Sequence, residues 1–128
     1  MLPNPCDLLP HRPPQLVLTR LVSFEGDRLV AEGDFGSADW QGAVPGMWLV
    51  EGVAQALGCL GRMHGEDGNA VLLSIEGVTF PASATVPCTL KFEVWLVDRR
   101  LRITEAAGRV TREGVVVCEG RVTAALLG

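Results

Sequence analysis

The chain has 128 residues, 48% of them hydrophobic and 20% charged, with a formal net charge of −4. That is the length of one domain, apolar enough to bury about two-thirds of its unfolded surface, which excludes a disordered segment. The acidic balance, with a pI near 5.1, excludes a nucleic-acid binder that neutralises phosphates, although Arg99, Arg100, Arg102, Arg109, Arg112 and Arg121 gather in the last third.

The opening MLPNPCDLLPHR has neither a charged n-region nor an apolar core, so no signal peptide is expected and the cytoplasm is the default compartment. Cys6, Cys59, Cys88 and Cys118 match no metal spacing and no disulfide framework, and Cys59 and Cys118 are expected as packed thiols. In LLPHRPP the prolines flanking His11 and Arg12 favour extended backbone, so a stiff turn is expected there. Residues 16–22 read as a strand, Glu25-Gly26-Asp27 as a turn, and residues 28–35 as the returning strand with Leu29, Ala31, Gly33 and Phe35 on one face. GSADWQGAV has no periodicity and reads as a loop.

Residues 45–62, PGMWLVEGVAQALGCLGR, form the one long run that reads as a helix, with Pro45 suited to its first position. Met47, Trp48, Leu49, Val50, Val53, Leu57 and Leu60 spread around its whole circumference, so burial on most sides is expected. It is short and glycine-rich for a membrane span. Glu51 and Gln55, four residues apart, share a face that Gly58 continues. A carboxylate within a buried helix is costly unless it is paired or does chemistry, which makes Glu51 the first candidate for function.

HGEDGN then reads as a polar loop, with Gly65 placed to stop the helix. Residues 71–80 read as a strand with a bulge at Gly77, and PASATVP as a turn-rich connection. Residues 89–97 alternate, with Leu90, Phe92, Val94 and Leu96 inward and Lys91, Glu93 and Trp95 outward. Asp98-Arg99-Arg100 reads as a turn, and residues 101–111 as a strand bulged near Ala106-Ala107-Gly108. After a turn at Arg112-Glu113-Gly114, residues 115–126 close the chain with Val116, Cys118, Val122, Ala124 and Leu126 inward. A helix apolar all round needs a sheet that curls about it, and antiparallel strands on short turns supply one. The expected fold is α+β, one hot-dog domain over residues 1–128, its curled antiparallel sheet wrapped around one central helix. Gly52, Ala54, Ala56 and Gly58 would let helix and sheet approach closely.

PGMWLVEGVAQ resembles the central-helix motif of the β-hydroxyacyl-acyl-carrier-protein dehydratases, the FabA/FabZ family. LLPHRPPQLVLTRL resembles that family's opening segment, and LLSIEGVTFPASATVPCTLKFEVWLV the two strands after its helix. The similarity covers nearly the whole chain in order. The hydroxyacyl-carrier-protein dehydratases of aryl-polyene type, with an LPH start and a PG-to-glutamate-to-AQ helix, resemble it more closely still. The resemblance implies a (3R)-hydroxyacyl-[acyl carrier protein] dehydratase, a hydro-lyase of fatty-acid or polyene-type biosynthesis that needs no cofactor or metal. Its substrate would be an acyl thioester on acyl carrier protein or coenzyme A, and its assembly a homodimer, or a heterodimer with a related subunit. One position departs from the family. Where members carry Gly-His-Phe-Pro, with the histidine as base, an ungapped alignment places Gly36, Ser37, Ala38 and Asp39. A serine hydroxyl is a poor base near neutral pH.

Dehydration needs a base for the α proton, an acid for the departing hydroxyl, and donors for the thioester oxygen. Glu51 fits the acid, the alternative being a structural carboxylate paired to an arginine or a loop amide. The first-turn N–H groups around Gly46 and Met47 suit the oxygen, helped by the helix dipole. His11 matches a family histidine and is the candidate base in place of Ser37, or else a structural histidine bonding backbone. Gln55, Ser37, Trp40 and Met47 complete the substrate-binding candidates, with core packing the alternative for Trp40 and Met47. Ser37 and Asp39 have no histidine beside them in sequence to form a triad. His64 reads as solvated. Arg99 and Arg100 offer a landing corner for an acidic carrier protein, with a solvated sheet face the alternative. Two other functions fit the same residues: an acyl thioesterase in which Glu51 directs water, and a non-catalytic acyl-binding subunit of a heteromeric dehydratase.

Overall fold

The computed structural model describes residues 2–38, 40–66 and 69–127, the side chains of residues 69, 70, 126 and 127 excepted. Asp39 and the inward side chain expected at Leu126 lie outside the described residues. The elements are α1 (Pro5–Leu8), β1 (Arg20–Glu25), β2 (Arg28–Phe35), α2 (Gly46–Met63), β3 (Asn69–Thr79), β4 (Cys88–Arg100), β5 (Ile103–Arg112) and β6 (Val115–Leu127). The strands form one antiparallel sheet in the order β1-β2-β4-β5-β6-β3. Helix α2 packs on β2, β4, β5, β6 and β3, so the sheet curls around it as a hot-dog fold. No helix among the described residues is long and apolar enough to cross a membrane.

The core follows from the alternation. Leu29, Ala31, Leu90, Phe92 and Val94 are fully buried under α2. A Cβ on Gly52 would overlap the Phe92 ring, and one on Gly108 would overlap Val53, so hydrogen in place of a side chain sets the closeness of helix and sheet. At the helix end Gly65 takes φ +84, and Glu66 N–H reaches back to the Gly61 carbonyl at 3.0 Å. Burial pushes the Cys59 thiol up to about 12, and burial with the Glu119 charge pushes Cys118 up to about 11. Both stay protonated and poorly nucleophilic at neutral pH.

Several expectations are corrected. Residues 16–19 precede β1, because the Val17 N–H bonds to the Gln55 side chain rather than to a neighbouring strand. Asp98-Arg99-Arg100 is strand, not turn: the register shifts between Leu96 and Asp98, and β4 stays paired with β5 as far as Arg100 opposite Ile103. The turn falls instead at Leu101 and Arg102, with Leu101 at φ 52. The bulge expected near Gly108 is therefore on β4, and Gly108 sits in register between Val94 and Gly120. The Gly77 bulge is where it was expected, in the shift between Glu76 and Thr79. In β6 the shift between Val110 and Thr111 leaves Val117 as the extra residue, and Val117 rather than Val116 is the buried one.

Two surfaces are less buried than the apolar sequence suggests. Met47 on α2 is 84% exposed, and Trp48 is half-buried. On the sheet edge, Val71, Leu72, Leu73 and Ile75 of β3 are between 40 and 54% exposed.

Candidate active site

A cavity of about 330 Å³ runs along one face of α2. Glu51, Ala54, Gln55, Gly58, Gly61 and Arg62 line it, and their spacing is that of one helical stripe. Leu8, Leu9, Pro10 and His11 close one side, and Val71 and Leu72 of β3 contribute to another.

At one end three of the expected residues meet. His11 Nε2 lies 3.4 Å from Glu51 Oε1, with the two side chains 34% and 39% exposed. The stiff LLPHRPP turn carries His11 to the helix, and Gln55 holds it there. The Gln55 amide, 2% exposed, donates from Nε2 to the Gln15 carbonyl at 2.8 Å and to Glu51 Oε1 at 3.1 Å. Its Oε1 accepts the Val17 N–H at 2.8 Å. The Gln55 amide donor and the His11 Nε2 thus both lie on the Oε1 side of the Glu51 carboxylate. Glu51 itself lines the cavity. His11 Nδ1 is buried without a hydrogen-bond partner among the described residues.

The remaining candidates lie elsewhere. Ser37 is exposed in a turn, and Trp40 packs edge-on to Trp48 at 5.5 Å and against Phe35 at 6.4 Å. Gly46 sits under the Phe80 ring, and Met47 projects outward. None of these four lines the cavity formed by this single chain. Arg99 does line it, ion-paired to Glu66, while Arg100 pairs with Asp98 at 3.1 Å. His64 is engaged rather than merely solvated, its Nε2 lying 2.8 Å from the Gly26 carbonyl. Sequence reasoning missed the backbone anchors at Gln15 and Val17 and the Glu66–Arg99 pair, since each joins segments more than 30 residues apart. Among the described residues no three His, Cys, Asp or Glu side chains gather as a metal site.

Replacing Gln55 by Leu keeps the volume and strips the Val17 N–H and the Gln15 carbonyl of their partners. A loss of about 1–3 kcal/mol is expected, from the buried Val17 N–H left without a partner. A lowered urea midpoint checks this; an unchanged one would mean that the amide does not clamp the His11 segment.

No family model matches the chain. It is 32% identical over 127 residues to the 3-hydroxyacyl-[acyl-carrier-protein] dehydratase FabZ of Solibacter usitatus, an alignment covering 90% of this chain and 78% of that one. A second FabZ, from Thermomicrobium roseum, is 32% identical over 132 residues, covering 94% of this chain and 89% of that one. Among solved structures, a chain of the dehydratase heterocomplex ApeI:P from Xenorhabdus doucetiae superposes with a TM-score of 0.86 at 17% identity, covering 100% of this chain and 93% of that one. At that identity the likeness speaks for the fold.

Proposed function

We propose, from the premise that this chain belongs to the 3-hydroxyacyl-[acyl-carrier-protein] dehydratase FabZ family, that it is a hydro-lyase removing water from a β-hydroxyacyl thioester. The observation that carries this reading is the Glu51 carboxylate on the cavity wall, with His11 and Gln55 beside its Oε1. Glu51 takes the α proton, and the electron pair of the C–H bond becomes the new double bond. The β C–O bond breaks, and Glu51 returns the proton to the departing hydroxyl as water. His11 and the Gln55 amide keep the carboxylate turned toward the substrate throughout, so His11 acts with Glu51 as one acid–base unit. An acidic carrier protein would land on the Arg99–Arg100 corner. The cytoplasm is the compartment that goes with this reading.

The site is completed by a second subunit. β3 is a sheet edge carrying exposed apolar side chains, and Phe80, which follows it, packs on Gly46 beside the exposed Met47. An edge of this kind invites strand pairing. A homodimer along β3 would cover it and bring Ser37, Gly46 and Met47 of one subunit toward the cavity of the other. A related chain would fill the same role in a heterodimer. Sedimentation at micromolar concentration is expected to give a dimer, and Ile75→Lys to give monomers. A wild-type monomer with no partner added would contradict the two-subunit site.

The activity is tested on a β-hydroxyacyl thioester of acyl carrier protein. The enoyl product without free thiol supports dehydration, whereas free thiol identifies a thioesterase. No turnover until Ser37→His is introduced, or until a related subunit is added, identifies an acyl-binding subunit.

A further inference from the structure

The end of the cavity away from Glu51 is charged. Arg62 and Arg99 line it, and Glu66 pairs with Arg99 from the loop after α2. Two guanidinium groups against one carboxylate leave a positive charge over. The Glu66 side chain is 19% exposed and lies across Gly61, where a Cβ would overlap its Oε2. Glu66 therefore occupies, from within the chain, a position suited to an anion.

Distance identifies that anion. Glu51 and Arg62 stand eleven residues apart on one helix, which at a rise of about 1.5 Å per residue is about 16 Å. A pantetheine arm is peptide-like, and extended chain of that kind advances about 3.3–3.6 Å for every three bonds. The roughly thirteen bonds from its phosphorus to its sulfur thus span about 14–16 Å. A thioester held at Glu51 would place its phosphate at Arg62 and Arg99, with the arm lying over the small residues Ala54, Gly58 and Gly61.

We propose that this end of the cavity is a phosphate seat for the pantetheine arm of the substrate, and that Glu66 fills the seat until the phosphate displaces it from Arg99. The inference rests on the thioester reading above, but it is tested by binding alone. Titration of the intact protein with 4′-phosphopantetheine and with pantetheine is expected to give a Kd about 10-fold or more lower for the phosphorylated compound. Arg99→Gln and Arg62→Gln should each bring the two constants together. Glu66→Gln, and Gly61→Ala by crowding the carboxylate out of the seat, should tighten phosphopantetheine several-fold and leave pantetheine unchanged. Equal constants in the wild type overturn the proposal, and so does a ratio that survives both arginine substitutions. Because Arg62 is an exposed helical residue, its variant serves even where Arg99→Gln disturbs the β4–β5 tip. Parallel titrations with coenzyme A and with a phosphopantetheinylated carrier protein identify which bearer of the phosphate binds. Phosphate-dependent binding without any dehydration would remove the proposed activity and leave the seat standing.

Discussion

Glu51→Gln is expected to lower the rate of β-hydroxyacyl thioester dehydration by about 100-fold or more while the unfolding midpoint stays close to that of the wild type. The amide fills the carboxylate's volume and keeps an oxygen beside the Gln55 amide and the His11 ring, so packing at the cavity wall survives. What it lacks is basicity, since a neutral amide neither takes the α proton nor returns one to the hydroxyl. His11→Ala is expected to cost about 100-fold as well, because the carboxylate loses its neighbour and is free to turn from the substrate, and misplacing a catalytic group costs on that order. Circular dichroism and a urea titration of each variant separate lost chemistry from a lost fold. A Glu51→Gln enzyme with wild-type turnover would remove the carboxylate from the reaction.

The largest effect on stability is expected at Phe92. Its ring is fully buried, stands against Gly52 of α2, and lies 6.5 Å from the Phe35 ring. It pins the helix to the middle of the sheet. Phe92→Ala leaves a cavity that the glycine opposite cannot fill, at about 3–5 kcal/mol. Since domains of this size are stable by only about 5–15 kcal/mol, the variant should be marginal at room temperature. The unfolding midpoint in urea reads this directly. A shift equivalent to less than about 1 kcal/mol would mean that the helix is not held through this ring.

The elements carried by alternation were legible before the structure. β2 and the inward face of β4 read correctly because one face of each is apolar, the span of α2 because its run is apolar all round, and the i, i+4 spacing of Glu51 and Gln55 marked the face that lines the cavity. The segment before β1 was not legible, because its apolar residues look like strand while a glutamine 38 residues on takes the Val17 N–H. The turn at Leu101 gave no signal either. It has none of the glycine, asparagine or aspartate that a left-handed residue usually brings, so the polar Asp98-Arg99-Arg100 looked like the turn instead. The exposure of Met47 and of the apolar β3 side chains was not legible for a different reason. Hydrophobicity reports that a side chain avoids water, and cannot distinguish the chain's own interior from an apolar surface left exposed. At the site, Glu51, Gln55 and His11 were all selected from sequence, and the structure brings them together. The charged far end was not foreseen as part of the cavity, because Glu66 and Arg99 read separately as loop and carrier corner.

The most direct measurement is a double-mutant cycle on Glu51 and His11, read as single-turnover dehydration of a β-hydroxyacyl carrier thioester. If the two side chains act as one unit across their 3.4 Å contact, the Glu51→Gln/His11→Ala double variant should be about as slow as the slower single variant. Losses that multiply in the double variant, or full activity in His11→Ala, would contradict the account.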